Sequence, residues 1–250
     1  MSENKRKKSR IVLAIVAVVV VCAAVLLYNP ARSLIAVATM KPLQTQQVMP
    51  GVYAVNNGYV NLYLVKAGNS YLVFDGGSDN KKTAAALPEL GIFPSDVVAV
   101  FLTHTDGDHV AALSIFPDAE VYMSGSNKNF LGEKEGQQRS GAFLNMNRAY
   151  KTIGDGQTVT VAGATIQCIF TPGHTQGSAC YLVNGTYLFT GDNLHLKNGK
   201  VTLFSDIFNM DNDQQRQSIG KLARLEGIEA VFTMHSGFSL DHKSAFSDWR

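Results

Sequence analysis

Residues 97–109 read VVAVFLTHTDGDH, and this stretch decides how the rest of the chain is interpreted. Its first seven residues form a continuous apolar run rich in valine, which is typical of a β-strand that is buried on both faces. An isolated histidine is usually satisfied by solvent or by a backbone carbonyl, but a cluster of ligand-type side chains directly after a buried strand indicates a metal site. Here four such side chains occupy six positions: His104, Asp106, Asp108 and His109.

Three further ligand-type residues follow predicted strands in the same way. His174 lies in TPGHT, Asp192 ends the sequence FTGD, and His235 lies in TMHSG. Each stands where a strand gives way to a loop that contains glycine, so all of them could converge with residues 104–109 at one edge of a sheet sandwich. Histidine and carboxylate ligands without a thiolate suit zinc, and the carboxylates also admit iron or manganese.

The surrounding pattern predicts many short strands with helices between and after them. The predicted strands, which are β-branched or aromatic runs bounded by turn residues, cover residues 52–55, 60–66, 71–75, 97–103, a segment near 121, 158–161, 165–170, 179–183, 187–190 and 230–234. The predicted helices cover residues 81–90, a short segment after His109, a segment capped by Asp211 and ending near 225, and a C-terminal stretch. This arrangement favours two sheets packed face to face and covered by helices.

The motifs HTDGDH, PGHT, GD and HSG, preceded by VFDGG at residues 73–77, resemble those of the metallo-β-lactamase superfamily in type and order. The resemblance runs from about residue 48 to the C-terminus and implies an α+β fold, a four-layer αββα sandwich. It also implies a site for two divalent metal ions, with Asp192 bridging them and Asp75 supporting the ligands. One ion would be held by His104, Asp106 and His174, and the other by Asp108, His109 and His235.

The function implied by this resemblance is hydrolysis of a small ester, lactone or amide by a metal-bound hydroxide, with Asp108 as the catalytic residue that orients it. Position 106 departs from the family pattern, because the superfamily usually has histidine there. A carboxylate at this position adds negative charge and favours a harder metal, so iron or manganese stand beside zinc. A diiron-type redox or oxygen-sensing protein and an inactive metal-binding module remain as alternatives.

The N-terminal segment predicts a membrane anchor. Residues 11–28 are an uninterrupted apolar run of 18 residues, preceded by the basic sequence KRKKSR and followed by Asn29-Pro30, which is expected to end the helix. The expected organisation is a cytoplasmic tail and anchor over residues 1–30, a linker over 31–47 and an extracytoplasmic catalytic domain over 48–250. A retained anchor is favoured, and the small residues of Ala36-Val37-Ala38 leave cleavage near Ala38 open.

The distribution of charge limits which partners the domain is expected to bind. The net charge of +2 comes from the tail, since removing its five basic residues and one acid leaves 17 basic and 19 acidic residues. We therefore expect a small-molecule substrate and a membrane as partners and no nucleic acid, with the oligomeric state left open.

Three smaller features lie outside these motifs. Cys168 and Cys180 fall in consecutive predicted strands, where they could pair or remain two buried free thiols. His195 and His242 match no motif and are expected at the surface. Residues 124–148 are polar and predict a long surface loop, which is either a lid or a plain insertion.

Overall fold

The computed structural model describes residues 16, 19, 20, 27–126 and 148–250. The chain divides into two compact units, Met1–Thr39 and Met40–Arg250. In the first unit, residues 27–38 are helical, so the expectation that Asn29-Pro30 ends the helix is wrong. Proline lacks only its own N–H and already has a helical φ, and the residues after it can continue the helix.

Most of the predicted anchor, residues 11–28, lies outside the described residues. The described part of the chain contains no helix that is both long enough and apolar enough to span a bilayer. Most of the predicted surface loop, residues 127–147, likewise lies outside the described residues.

The second unit contains the described strands and the helices that cover them. The strands are β1 Gln46–Met49, β2 Val52–Asn56, β3 Asn61–Ala67, β4 Ser70–Phe74, β5 Val97–Leu102, β6 Glu120–Ser124, β7 Lys151–Ile153, β8 Thr158–Val161, β9 Ala164–Phe170, β10 Ala179–Val183, β11 Tyr187–Phe189, β12 His195–Lys197, β13 Lys200–Thr202, β14 Ala230–Thr233 and β15 Gly237–Ser239. The α-helices are α1 Asn80–Glu89, α2 Gly107–Val110, α3 Asn212–Ala223 and α4 His242–Ala245. Single 3₁₀ turns are found at Pro94–Asp96, Leu113–Ile115, Asp206–Phe208 and Ser247–Trp249.

Two mixed sheets form the centre of this unit. The first has the order β1-β2-β3-β4-β5-β6-β7 and is antiparallel up to β4 and parallel from there to β7. The second has the order β15-β14-β11-β10-β9-β8 and is antiparallel except between β11 and β14. Strands β12 and β13 form a separate hairpin. Parallel neighbours bring their carboxyl ends to the same edge of a sheet, which places several loops side by side.

Three apolar clusters define four layers. The cluster between the sheets is rich in aromatic rings, among them Phe74 and Phe189, which stack with centroids 4.0 Å apart. A second cluster packs the outer face of the first sheet against Leu87 of α1, and a third packs the second sheet against Ile219 and Leu222 of α3. The predicted αββα sandwich is therefore confirmed. Each fully buried side chain of this size contributes roughly 1.5–3 kcal/mol of transfer free energy.

Some expected boundaries differ from the structure. Strands β1, β7, β12, β13 and β15 were not expected as separate elements, because three or four residues are too few to show a period of two. Within the expected linker over 31–47, residues 31–38 are helical and β1 begins at Gln46, and the second compact unit begins at Met40. Helix α2 contains Asp108 and His109 instead of following them.

Two side-chain expectations are settled by the topology. Cys168 and Cys180 are buried free thiols, and they cannot pair because Cys180 lies opposite Ile169 while Tyr181 lies opposite Cys168. Neighbouring side chains alternate between the faces of a sheet, so the two thiols point to opposite sides of it. His242 was expected at the surface but is only 4% exposed, because it packs against α3 with its Nε2 3.1 Å from the carbonyl of Leu222.

Candidate metal centre

The predicted ligands meet at the carboxyl ends of β5, β9, β11 and β14. Residues 103–109 follow β5 directly, and His174, Asp192 and His235 each come within four residues of the end of a strand. Because β11 and β14 run parallel, Asp192 and His235 leave the second sheet on the same side. The expectation that these residues converge is confirmed.

The structure brings the side chains together in three overlapping groups. Within each group, one ligand atom from each residue lies within 4.8 Å of the others. We name the group of His104, Asp106 and His174 the Asp106 group, and the group of Asp108, His109 and His235 the Asp108 group. The third group joins them through Asp192, which lies with His104 and His109. This arrangement reproduces the division into two sets with Asp192 between them.

The inner nitrogen atoms of the four histidines are buried and lack a hydrogen-bond partner among the described residues. Each Nε2 instead faces a carboxylate oxygen without hydrogen-bond geometry: Asp106 Oδ2 at 3.7 Å from His104 and 3.3 Å from His174, and Asp192 Oδ1 at 3.4 Å from His109 and 3.2 Å from His235. Within the described part of the chain, Asp192 Oδ1 is also buried without a hydrogen-bond partner. Buried polar atoms are normally satisfied, so this set of converging donor atoms fits metal ions.

The outer nitrogen of every histidine is anchored. The Nδ1 atoms lie 3.0 Å from Thr103 Oγ1 for His104, 2.8 Å from Asp75 Oδ2 for His109, 3.2 Å from Asn209 Oδ1 for His174 and 2.7 Å from the Tyr59 carbonyl for His235. These contacts fix the orientation of each ring and place the proton of a neutral imidazole on Nδ1, which leaves Nε2 free to bind a metal. The sequence did not point to Thr103, Asn209 or Tyr59 in this role.

Asp75 links the two groups from behind. Its fully buried carboxylate lies against His109 and accepts hydrogen bonds from the backbone N–H of Thr103, at 2.8 Å, and from the Thr103 hydroxyl, at 2.9 Å. Since that hydroxyl donates to Asp75, its oxygen is free to accept from His104. A Cβ at Gly191 would lie 2.3 Å from Thr103 Oγ1, so glycine is required there for this close approach. Asp75 contacts His109 directly and reaches His104 through Thr103, and its role in supporting metal ligands stays a prediction.

The charges of the site shift its pKa values in opposite directions. Burial would lower the pKa of His109, but the carboxylates of Asp192, Asp108 and Asp75 outweigh it and raise this pKa well above 6.5. The same balance raises the pKa of His235. Burial and the nearby His109 lower the pKa of His104 to about 4. Burial opposes ionisation of Asp192, yet His235 and His109 hold its pKa well below the usual value.

A glycine and an amide network fix the loop that carries His174. Gly173 has a φ of +141°, and a Cβ there would lie 2.4 Å from the backbone of Gln215 in α3. The side chain of Gln215 donates to the Asp192 carbonyl at 3.1 Å and to Asn209 Oδ1 at 3.1 Å. Helix α3, whose N-cap is Asp211, therefore holds both His174 and the backbone of Asp192 in place.

Of the two remaining histidines, one lies near the site. His195 is half-buried, and burial together with the neighbouring His235 lowers its pKa. Its ring centroid is 6.5 Å from that of Phe204, whose ring also contacts His174 and His235. It was expected at the surface without a role, and its position next to the site could not be inferred because no motif includes it.

Comparison with known proteins agrees with this geometry. The chain is 32% identical over 204 residues to a hydroxyacylglutathione hydrolase of Salmonella arizonae, which covers 78% of this chain and 65% of the relative. It is 31% identical over 139 residues to a probable polyketide biosynthesis zinc-dependent hydrolase of Bacillus velezensis, covering 54% and 55% of the two chains. For another Salmonella hydroxyacylglutathione hydrolase, the match spans about half of the relative's length, 52%.

Solved structures and the family profile extend the comparison. A metallo-β-lactamase family protein of Thermus thermophilus superimposes with a TM-score of 0.62 at 23% identity, covering 80% of this chain and 78% of the other. The sequence profile of the metallo-β-lactamase superfamily matches residues 55–235, well over half of the chain. That match includes Asp75 and every predicted ligand from His104 to His235. The chain therefore belongs to the metallo-β-lactamase superfamily.

Proposed function

We propose that this chain is a metal-dependent hydrolase of a small ester, lactone or amide. The observation that carries the proposal is a set of buried atoms that converge without hydrogen-bond partners among the residues that the structure describes: Nε2 of His104, His109, His174 and His235, and Oδ1 of Asp192. A site that served only to stabilise the fold would pair these atoms with one another or with the backbone. Their anchored rings instead present a preorganised set of donors.

The ligand assignment follows the groups. The Asp106 group would hold one divalent ion, the Asp108 group a second, and Asp192 would contact both. Zinc is the first choice of metal because four of the seven donors are imidazoles, and Asp106 keeps iron and manganese as alternatives. When bound, the ions supply Lewis acidity, which lowers the pKa of a water molecule and polarises the bond to be cleaved.

The residues of the chain supply positioning and proton handling. Asp108 is 19% exposed, whereas the histidines beside it are at most 2% exposed, so its carboxylate is the part of its group that solvent and substrate reach. A carboxylate in that position accepts a hydrogen bond from the attacking water and holds the proton that this water loses. The anchored histidines keep their Nε2 atoms aimed inward throughout, without reorganisation during the reaction.

The names of the relatives support the reaction class. One is a hydroxyacylglutathione hydrolase and another is described as a probable zinc-dependent hydrolase. The bonds proposed here, esters, lactones and amides, share the carbonyl carbon that such a hydrolase attacks. Membership of the fold does not determine the natural substrate.

We also propose that residues 11–28 tether the domain to a membrane, with the catalytic domain on the extracytoplasmic side. The support is the 18-residue apolar run and the basic cluster before it. A reporter that is active only outside the cytoplasm, fused after Arg250, tests the topology. Activity of a cytoplasm-only reporter at the same position would overturn it.

The central test is the metal content of a fragment that begins at Met40, measured by elemental analysis after purification without chelators, together with hydrolysis of phenyl acetate. We expect about two ions per chain and turnover that a chelator abolishes. His174→Ala should lose the metal of the Asp106 group and the activity. The matched control is His242→Ala, which removes a buried histidine outside the site and should keep both.

The outcomes separate the alternatives. Full metal content and activity in His174→Ala would show that the ligand assignment is wrong. Bound iron whose colour changes with oxidation state, without ester turnover, would favour a diiron-type redox protein. Metal without turnover of any ester, lactone or amide would favour an inactive metal-binding module.

A further inference from the structure

The first segment of the second compact unit crosses the turn that carries His235. This segment consists of residues 40–45, which we name the strap, and it belongs to no helix or strand. The backbone N–H of Lys41 donates to the main-chain carbonyl of His235 at 2.8 Å. A segment that is remote in the sequence therefore holds the backbone of a predicted metal ligand.

The turn after β14 leaves this backbone to partners from outside. Within the turn, the Thr233 hydroxyl donates to the carbonyl of Gly237 at 2.9 Å, which closes the turn at its two ends. The carbonyl of Met234 accepts from the backbone N–H of Asn61 at 2.7 Å, and the carbonyl of His235 accepts from the strap. The position of the ligand thus depends on β3 and on the strap as well as on β14.

Asn61 also joins the strap to the same turn through its side chain. It is fully buried, its side-chain oxygen accepts from the N–H of Leu43 at 2.7 Å, and its amide group donates to the Leu43 carbonyl at 3.0 Å. Asn56 donates to that carbonyl as well, at 2.8 Å. The Leu43 side chain packs over the turn, since a Cβ at Gly237 would lie 3.4 Å from its Cδ2. The strap is consequently held at Leu43 as well as at Lys41.

His235 is therefore fixed at its ring and at its backbone by different parts of the chain. The ring is fixed because the Tyr59 carbonyl lies 2.7 Å from Nδ1, and the backbone is fixed by Lys41. Both contacts are needed to hold Nε2 in place, because a shift of the backbone carries the whole ring with it. Loss of a partner behind a metal ligand typically costs 10- to 100-fold in affinity, and the strap acts on the backbone of the ligand instead of its ring. The lower end of that range is the effect to expect.

We propose that the strap is a positioning element that sets the metal affinity of the Asp108 group through the backbone of His235. Among the described residues, the hydrogen bonds of the strap reach the turn of His235 and not the loops of His104 or His174, so the Asp106 group is independent of it. Cleavage of the chain near Ala38 would leave the strap whole. The inference rests on the ligand assignment of the proposed function, but metal binding is measured without turnover.

Lys41→Pro tests the proposal in the full chain, because it removes the N–H that His235 accepts from. Lys41 precedes Pro42 and is therefore already restricted to extended backbone of the kind that proline adopts. We expect about tenfold weaker zinc binding at the Asp108 group and a change of less than about twofold at the Asp106 group. Titration against a competing chelator measures each group separately, with Asp106→Ala used to isolate the Asp108 group and Asp108→Ala to isolate the Asp106 group.

Lys41→Ala is the matched control, because it removes the exposed side chain and keeps the N–H. It should bind zinc at both groups as the unsubstituted protein does. Leu43→Ala keeps every backbone donor but loosens the packing of the strap on Gly237, and we expect about threefold weaker binding at the Asp108 group alone. Its own control is Leu240→Ala, which removes a leucine that is 63% exposed and follows β15 at the end of that strand away from the metal centre. Circular dichroism verifies folding.

Hydrogen exchange provides a second measurement that needs no substitution in the strap. Coupling between two sites is reciprocal, so a metal ion in the Asp108 group should stabilise the strap by the same factor by which the strap strengthens metal binding. In the Asp106→Ala protein, we expect zinc to slow exchange of the Lys41 amide about tenfold. The amides of β8, at the far edge of the second sheet, serve as the reference and should change much less.

The outcomes separate this inference from the proposed function. Equal zinc affinity in Lys41→Pro and the unsubstituted protein, equal losses at the two groups, or unchanged exchange of the Lys41 amide would overturn the strap. A loss in Lys41→Ala as large as that in Lys41→Pro would do the same. If Lys41→Pro does not fold, Leu43→Ala and the exchange measurement decide. The expected zinc affinities without turnover of any ester would leave the strap in place and refute the hydrolase function, and absence of zinc binding would refute both.

Discussion

The Asp106 group and the Asp108 group use similar ligands but hold them differently. In the Asp108 group, His109 is fixed by a buried carboxylate at 2.8 Å and His235 by a backbone carbonyl at 2.7 Å. In the Asp106 group, the corresponding partners are a hydroxyl at 3.0 Å and a carboxamide at 3.2 Å. A carboxylate partner makes an imidazole a more basic ligand and fixes its ring more firmly. The Asp108 group should therefore bind its metal more tightly.

The carboxylates of the two groups also favour tighter metal binding by the Asp108 group. Asp106 is the N-cap residue of α2, makes no capping hydrogen bond and has a side chain that is 36% exposed. Asp108 lies inside that helix and its side chain is 19% exposed. The more exposed carboxylate is better hydrated and freer to move, so binding a metal costs it more desolvation free energy and more side-chain entropy. Two sites with similar ligand types should therefore differ in metal affinity, because the partners behind the ligands differ.

The largest expected effect comes from Asp75→Asn, which removes the charge that both groups share. The one remaining carboxamide oxygen would have to replace the two carboxylate oxygens that accept from Thr103 and bind His109, and His109 would lose its charged partner. Loss of such an outer partner typically costs 10- to 100-fold in metal affinity, and we expect about 100-fold at the Asp108 group with a smaller loss at the Asp106 group. Titration against a competing chelator measures both. Equal losses at the two groups would remove the distinction drawn here.

Asn209→Leu should weaken the Asp106 group more than the Asp108 group. It removes the acceptor of His174 Nδ1 but keeps the number and branching of the side-chain heavy atoms, and we expect about a thirtyfold loss of metal affinity at that group. The control is Asn212→Ala, which removes a neighbour of Asn209 that does not contact a histidine. The same chelator titration applies, with circular dichroism to verify folding. A loss confined to the Asp108 group would reverse the assignment of partners.

The sequence predicted the convergence of these side chains because each of them comes soon after the end of a strand. A side chain next to the end of a strand has a position that local structure already determines, so the loops after β5, β9, β11 and β14 could be expected to meet. The buried strand β5 was predicted for a similar reason: its side chains divide between the cluster of Ala99 and Phe101 and the cluster of Val100 and Leu102. Both predictions depend on periodicity and spacing, which are properties of short sequence segments.

The partners behind the ligands could not be predicted in this way. Asn209 is 35 residues from His174 and Tyr59 is 176 residues from His235, and neither follows a strand in a recognisable motif. Their contacts depend on how loops pack after both sheets have formed. The helical segment 27–38 was missed for a different reason, since proline was given more weight as a helix terminator than its single missing N–H justifies. The difference between the two ligand groups is consequently a finding of the structure alone.

Asp106→His tests whether the exposed carboxylate sets the choice of metal. Imidazole favours zinc, whereas a carboxylate favours harder ions, so the ratio of zinc affinity to manganese affinity at the Asp106 group should rise about tenfold. The Asp108 group provides an internal reference, because its ligands are unchanged. Elemental analysis after equilibration with equal concentrations of both metals measures the ratio. An unchanged ratio would place Asp106 outside the set of ligands.

The smallest expected effect concerns the protons that metal binding releases from each group. The pKa of His109 is raised well above 6.5, as Asp192, Asp108 and Asp75 outweigh burial, so near neutral pH the metal-free imidazole carries a proton on Nε2 that metal binding must displace. Burial lowers the pKa of His104 to about 4, so His104 is already neutral. The pKa of His235 is raised as well, so metal binding at the Asp108 group displaces at least one proton. Affinity at that group should therefore rise at least about tenfold per pH unit, or about threefold between about pH 6.0 and 6.5. Calorimetric titration in two buffers with different heats of ionisation measures the protons released, with Asp106→Ala used to isolate the Asp108 group. Release of no proton in that variant would show that the carboxylates around His109 do not hold it in the charged form, and the electrostatic contrast between the groups would be wrong.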